Sequence, residues 1–331
     1  MHTPVMIALK LVALGLMLAM VTIAQPAPAQ RADNYPNRPI RFVVPFAPGG
    51  SLDTLARIVG ARLYESLGQP VVSDNRPAAG GTVGSDLVAK AQPDGYTLLI
   101  GSISTLAIAP GIYPKLPYDP VRDFTHVGLW VTFPLTLVVP AGSSMTNLNN
   151  FIDTARAKPG ALRFSAQGLG TSSHIFAEWM NSLAKIKVII VPYKGGGPAL
   201  TGLLAGEVDY TMVAVSTAKS QVQSGKLRAL GVTSAKPTPH LPNVPAIASV
   251  LPGYDALNFH GLHGPPGMSA ALVNKLNAES IKVLKRSDVV EKLSGFAMDI
   301  YTDTPEHYRA FVKKQIEQWA PVIKSSGARA E

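Results

Sequence analysis

Pro45-Phe46-Ala47-Pro48-Gly49-Gly50-Ser51-Leu52-Asp53 is the stretch from which the fold is read. Before it stands a short apolar run, Ile40, Phe42, Val43 and Val44, rich in β-branched residues, which is the pattern of a buried strand. After it Leu52, Leu55, Ile58, Val59, Leu63 and Leu67 recur at three- and four-residue steps, the pattern of an amphipathic helix. Gly49 and Gly50 permit a tight turn between the two and leave the backbone open to a ligand. The N–H groups of the helix start then face that opening with partial positive charge. A strand–Gly-Gly–helix corner of this kind suits a carboxylate or a phosphate. A βα turn that binds nothing has the same local sequence.

Outward from this corner the same rhythm continues. Strand patterns at 40–45, 70–73, 96–100, 127–139, 162–165, 188–192, 208–213 and 227–233 alternate with helical runs, which predicts an α/β fold with mainly parallel sheets flanked by helices. The rhythm completes one cycle before 127–139 and another after it, so two lobes are expected. Residues 127–139 are long for one strand and are interrupted by Pro134, the pattern of a segment crossing from one lobe to the next. The Pro-rich stretch 236–245 and the strand-like 256–262 supply the return crossing. The expected division is 30–130 plus 238–331 for lobe 1 and 131–237 for lobe 2, with the C-terminal helices on lobe 1. Ser269 caps one of those helices, and Thr304-Pro305-Glu306 starts another that Gly327 ends.

Composition narrows the function. Apolar residues make up 47% of 331 and charged residues 15%, so a large core is available and the charge-rich disordered class is excluded. Residues 1–29 carry Lys10, an apolar run from Leu11 to Ala24 and small residues at Ala27 and Ala29, the layout of a secretory signal peptide cleaved after Ala29, with an uncleaved membrane anchor as the alternative. No cysteine occurs, which excludes disulfides and a lipid anchor and leaves a periplasmic protein as the expectation. The net charge of +9 is scattered along the chain, so it argues for a bias toward anionic ligands and against a nucleic-acid surface.

Four further stretches bear on chemistry. Asp74-Asn-Arg-Pro-Ala-Ala-Gly-Gly-Thr-Val-Gly84 reads as a loop packed near the first corner with Arg76 paired to Asp74, or as a second backbone anion nest. Gly101-Ser102-Ile103-Ser104-Thr105 ends a strand in hydroxyls. Ser165-Ala-Gln-Gly-Leu-Gly-Thr-Ser-Ser-His174 repeats the strand–glycine–helix plan, with Gly170, Thr171, Ser172 and His174 at the helix start. There the positive helix end favours a neutral His174; a capping or core role for this histidine is the other reading. Val191-Pro-Tyr-Lys-Gly-Gly-Gly-Pro198 ends a strand in glycines, with Lys194 as a counter-charge beside Gly195 and Gly196, or as a solvated surface lysine. Nucleophile-elbow, zinc-protease and P-loop patterns are absent, and His260 with His263 has no acidic neighbour and no metal-ligand spacing. Neither a cofactor nor a metal is expected. Two lobes bearing glycine corners describe a binding protein that closes on a small ligand. A periplasmic hydrolase or isomerase using His174 with Ser172 or Thr171 is the alternative, and a sensor that reports to a signalling partner is another.

With these motifs in order, the chain resembles the Bug-family solute-binding proteins, the extracytoplasmic receptors of tripartite tricarboxylate transporters. The resemblance runs from about Tyr35 to Ser325. It rests on Tyr35-Pro-x-Arg-Pro-Ile40, Val44-Pro-Phe-x-Pro-Gly-Gly50 with Asp53, Gly68-Gln-Pro-Val71, Asp74-Asn-Arg-Pro77, Pro93-Asp-Gly-Tyr-Thr-Leu98 and Leu116-Pro-Tyr-Asp-Pro120. It continues through Gly168-x-Gly-Thr171 with His174, Val191-Pro-Tyr-Lys-Gly195, Gly225-Lys-Leu-Arg-Ala-Leu230 and Leu241-Pro-x-Val-Pro245. It implies a two-lobed type II periplasmic-binding-protein fold with no enzymatic activity. The implied ligand is a small carboxylate: a di- or tricarboxylate, an acidic amino acid or an aromatic acid. By motif position the ligand lies among Phe46, Ala47, Pro48, Gly49, Gly50, Ser51 and Asp53, then Ser102, Ser104 and Thr105, then Gly170, Thr171, Ser172 and His174, then Lys194, Gly195 and Gly196. Members of the family commonly hold the far end of the ligand through water at the first corner, and the near carboxylate by backbone and hydroxyl groups of the second lobe. The implied partners are the membrane subunits of a tripartite transporter or a sensor kinase, with the receptor itself a monomer. Two positions depart from the family's pattern, Val213 where many relatives carry Asp and Phe259 where Trp is frequent; both are expected to touch the cleft.

Overall fold

The structure, a computed structural model, describes residues 34–329, so the signal-peptide reading of 1–29 lies outside the described residues. Lobe 1 is built on β1 (Ile40–Val44), β2 (Val71–Asn75) and β3 (Thr97–Ser102), which run parallel in the order β2-β1-β3. The apolar run that precedes the first corner is β1, and Phe42, Val43 and Val44 are fully buried in it. Between β1 and β2 runs α1 (Ser51–Leu67), which buries Leu52, Leu55, Val59 and Leu63 and stops at Gly68 in the left-handed conformation (φ 70). Between β2 and β3 lies α2 (Thr82–Ala89); after β3 a π-helical turn, Ser104–Ile108, leads into the short α3 (Ala109–Ile112).

β4 (Thr125–Pro140) is the long crossing strand. The second lobe then follows in sequence: α4 (Leu148–Ala157), β5 (Arg163–Ala166), α5 (Ser172–Ala184), β6 (Ile189–Pro192), α6 (Gly196–Leu204), β7 (Tyr210–Ala214), α7 (Val215–Gln223) and β8 (Leu227–Val232). The chain returns to lobe 1 through β9 (Leu257–Gly264) and ends in α8 (Ala270–Leu284), α9 (Ser287–Gly295), the two-residue β10 (Asp299–Ile300) and α10 (Pro305–Ser326). Among the described residues no helix is long and apolar enough to cross a membrane.

The parallel order expected from the alternating rhythm holds for β2-β1-β3 and for β6-β5-β7. The crossing strands are antiparallel to their neighbours: β9 to β3 and to β4, and β4 to β7 and β8. This follows from their task, because one segment leaves lobe 1 and the other comes back. β4 changes partners midway. Thr125 to Pro134 pair with β9, and Leu135 to Pro140 pair with β7 and β8. Proline has no N–H to give a ladder, so Pro134 suits the place where one sheet hands over to the other. Thr233, just beyond β8, clips the crossings together. Its Oγ1 accepts from Leu135 N (2.8 Å), its N–H donates to Leu135 O (2.9 Å), and its carbonyl accepts from Ala256 N (2.8 Å).

α10 packs against both lobes. Thr304 caps it, with Pro305 at its first position, as the sequence predicts. Tyr308 and Phe311 meet Phe259 of β9 (6.4 and 5.1 Å between ring centroids), while Trp319 stacks on Phe176 of α5 (4.9 Å) and sets its edge to Trp179 (5.3 Å). The expectation that Phe259 touches the cleft is therefore overturned: side chains alternate along a strand, and Phe259 lies on the face covered by α10. Val213 is likewise a core residue, packed with Val138, Leu203 and Ala218 in lobe 2.

Candidate functional site

The first corner is held from the helix side. Gly49 takes a left-handed turn (φ +84), and Gly50 precedes α1 without a side chain to cap it. Asp53, in the first turn of α1 and nearly fully buried, accepts from Gly49 N (3.0 Å) and from Arg57 Nε (2.9 Å) through one carboxylate oxygen. Asn75, at the end of β2, donates to the Phe46 carbonyl (3.0 Å). Burial works to raise the Asp53 pKa, and the hydrogen bonds from Arg57, Gly49 and Asn75 outweigh it, so the carboxyl is held below its ordinary range. Asp53 thus fastens the turn through Oδ2. Ala47 and Pro48 are exposed at the tip of the turn.

Ser51 opens α1, and its Oγ lies 3.1 Å from His260 Nε2. His260 comes from β9, where it stands opposite Ser102 of β3; Phe133 sets a ring edge against it at 4.8 Å. No local pattern joins His260 to this corner, because the residues are 209 positions apart and the β3–β9 register brings them together.

Arg76 pairs with Asp74 (3.0 Å) as expected, and the glycines beside them pack against the first corner. Gly80 and Gly81 have φ of +62 and +93. A Cβ on Gly81 would lie 2.7 Å from Thr105 Cγ2 and 3.2 Å from Phe46 Cζ, so glycine is what lets Phe46 and Thr105 meet here. Thr105 and Ser102 are tied to each other: Ser102 N donates to Thr105 Oγ1 (3.1 Å), and the Thr105 hydroxyl donates to Ser102 O (3.1 Å). Ser104 reaches across instead. Its Oγ accepts from Ser172 N (3.2 Å), the first residue of α5 in the second lobe.

That second-lobe loop is held within itself. Gly170 N donates to His174 Nδ1 (3.1 Å), and the Thr171 hydroxyl donates to Gly168 O (2.8 Å). Burial pushes the His174 pKa down, which favours the neutral ring. Through the bond from Gly170, His174 braces the loop that leads into α5. Gly170 (φ +72) lies against Ile112 of α3, whose Cγ2 would be 2.9 Å from a Cβ there. Ile112 with Gly170 and Ser104 with Ser172 thus join the two halves of the molecule at this point.

At the last corner Gly195 (φ +113) donates its N–H to Gln167 O (3.0 Å), and α6 begins at Gly196 with no side-chain cap. A Cβ on Gly196 would lie 3.1 Å from Gln167 Oε1, and Gln167 Nε2 donates to Met212 O (2.9 Å). Gln167 is the strut of this corner and carries no pattern that sequence reading recognises. Lys194 is exposed and makes no hydrogen bond or ion pair among the described residues, which agrees with its solvated reading.

Helix starts divide by location. Those of α1, α2, α5, α6 and α7, which follow β1, β2, β5, β6 and β7, have no side-chain cap. Those of α4, α8 and α10 are capped by Asn147, Ser269 and Thr304; the remaining two, α3 and α9, are uncapped. Uncapped first-turn N–H groups need an outside acceptor, and together with the helix dipoles they favour an anion. Among the described residues no group of three His, Asp or Glu side chains is placed to hold a metal.

Residues 55–328 match the family described as tripartite tricarboxylate transporter family receptor. The chain is 42% identical over 311 residues to the UPF0065 protein in the tcbD-tcbE intergenic region of Pseudomonas sp. strain P51, covering 93% of this chain and 92% of the relative. It is 35% identical over 321 residues to protein BugT of Bordetella pertussis, covering 96% and 98%. Among solved structures, R. palustris Rpa4515 with adipate superposes with a TM-score of 0.85 at 32% identity, over 89% of this chain and 99% of that one. MatC (Rpa3494) from Rhodopseudomonas palustris with bound malate gives 0.81 at 33% identity, over 87% and 100%. With the two-lobed fold, the ordered motifs and matches across nearly the whole length in agreement, the chain belongs to the tripartite tricarboxylate transporter family of receptors.

Proposed function

We propose that this protein is a periplasmic receptor that closes on a small carboxylated solute and delivers it to the membrane subunits of a tripartite tricarboxylate-type transporter. The observation that carries the reading is the set of uncapped helix starts from both halves of the molecule, gathered at loops rich in glycine and hydroxyl groups. The division into lobes at 30–130 plus 238–331 and 131–237 belongs to this proposal; the change of partners at Pro134 and the Thr233 clip support a crossing near those limits. Dicarboxylates head the list of solutes, since similar proteins were solved with adipate and with malate. Three or four hydrogen bonds to a charged carboxylate, each contributing about 1.5–3 kcal/mol, are enough before ordering costs for the ~8 kcal/mol of a micromolar site.

The geometry supports binding over catalysis. Ser51 with His260 has the outline of a nucleophile and a base, but His260 Nδ1 has no protein partner to orient the ring, and burial pushes the imidazole pKa down to about 3. A general base works best with a pKa near the operating pH. His174 spends Nδ1 on Gly170, and Thr171 spends its hydroxyl on Gly168.

The test is a thermal-shift screen of ligand-stripped protein against dicarboxylates, citrate-like acids, acidic amino acids and aromatic acids. A ligand at a hundred times its Kd adds about 2.7 kcal/mol of stability, and Gly50→Val and Gly196→Val abolish the shift while the fold is kept. No shift with any class, or unchanged affinity in both variants, overturns the reading.

A further inference from the structure

We infer that His260 is the positioning residue of the first corner: its Nε2–H donates to Ser51 Oγ and so leaves the Ser51 hydroxyl hydrogen free to point at a ligand oxygen. The inference rests on the proposed binding site and adds a residue and a selectivity to it. The two side chains are 3.1 Å apart, and either can be the donor. The surroundings of the ring decide which. His260 is 4% exposed, and its Nδ1 has no hydrogen-bond partner in the protein. The Phe259 carbonyl is close enough to favour a proton on the ring but does not form a hydrogen bond with Nδ1.

A neutral imidazole carries one N–H and one acceptor nitrogen. With the proton on Nδ1, a buried N–H would have only the Phe259 carbonyl near it, with which it makes no hydrogen bond, while Nε2 took the Ser51 hydroxyl hydrogen. With the proton on Nε2, the donor is satisfied by Ser51 and only an acceptor lone pair is left at Nδ1. Orphaned buried N–H groups are the rarer and costlier defect, so the Nε2–H tautomer is selected. Ser51 then accepts from behind and donates forward.

The consequence is a preference. Ser51 sits in the first turn of α1, whose start has no side-chain cap, so its hydroxyl and the helix N–H groups all present donors. The corner therefore takes an acceptor oxygen, as in a carboxylate, and rejects an ammonium group at the same place. Serine alone would not discriminate, since a free hydroxyl turns to suit either.

Two measurements test this. The first needs no ligand: long-range proton–nitrogen correlation spectra of the nitrogen-15-labelled protein at neutral pH, with the His260 signals identified by their loss in His260→Gln. The Nε2–H tautomer is expected; an Nδ1–H tautomer or an imidazolium overturns the inference. The second is calorimetric titration with adipate against 6-aminohexanoate and succinate against 4-aminobutanoate. The dicarboxylate of each pair is expected to bind and its amino counterpart not. His260→Gln, which keeps an N–H near the Nε2 position, is expected to stay within about threefold of the parent, and His260→Met and Ser51→Ala each to lose about tenfold. The double variant is expected to lose no more than Ser51→Ala alone. Unchanged binding in a folded His260→Met, additive losses, or equal binding of the amino counterpart overturns the inference. If neither dicarboxylate binds the parent protein, the dicarboxylate reading fails, and the tautomer spectrum still decides the role of His260.

Discussion

At the first corner a carboxylate holds the turn: Asp53 takes the Gly49 N–H and the Arg57 side chain, with Asn75 bracing the Phe46 carbonyl. At the Gly195 corner an amide does the equivalent work, Gln167 taking the Gly195 N–H on its carbonyl and tying its own side chain to Met212. Both are strand–glycine–helix turns with a left-handed glycine and an uncapped helix start. One is fastened by charge and the other by neutral groups. The same contrast holds for the histidines: among the described residues His126, His260 and His263 lie buried on the crossing strands β4 and β9, whereas the second lobe buries His174. The sheet that carries the charged corner is thus the acid-sensitive part of the molecule, and the other corner is built to ignore pH.

The largest expected effect is acid destabilisation. Burial pushes His260 down to about 3; burial and then the charge of Arg309 push His126 down to about 4. Both stay neutral in the folded protein while the unfolded chain takes up protons below about 6.5. Their stability contribution is fully present above that value and is lost as pH falls toward the folded values. The two together account for a loss of about 5 kcal/mol by about pH 4.5. Denaturant unfolding followed from neutral to acid pH checks this, and a flat profile would break the contrast at its root.

Next in size is Asp53→Ala, which removes the charged acceptor of the Gly49 N–H and of Arg57. A loss of about 2 kcal/mol is expected at neutral pH, the exposed Arg57 adding little. Because the Asp53 carboxyl is held below its ordinary range, its contribution is present above that range and lost as pH falls through the folded value. The deficit of the variant therefore shrinks in strong acid, which unfolding curves at the two extremes will show. Smallest is Gln167→Ala, which removes one neutral hydrogen bond to Met212 and is expected to cost about 1 kcal/mol, the same at mildly acidic and neutral pH. A Gln167→Ala loss equal to that of Asp53→Ala, or one that varies with pH, would erase the distinction between the corners.

The α/β alternation, the crossing at Pro134 and the helix starts at Ser51, Ser172, Ser269 and Pro305 were legible in the sequence because each is a local pattern: a β-branched run, a period, a cap. The corners were legible because glycines mark them. What escaped is set by register and by lone polar side chains. His260 meets Ser51 only because β9 pairs with β3, and Gln167 is an amide in a loop with nothing to distinguish it. The placement of Phe259 was within reach. Asn258-Phe259-His260 alternates polar, apolar, polar, which puts Phe259 on the opposite face from His260.

Trp319 fixes an order of events. It stacks on Phe176 and meets Trp179 edge-on, so the inner face of α5 stays uncovered until residues 305–326 have been made and have folded back. β4 waits as well, since residues 125–134 find their partner only when 257–264 arrive. Pairings so far apart along the chain form slowly. An architecture whose last helix closes its interior holds the chain open until its end has been made.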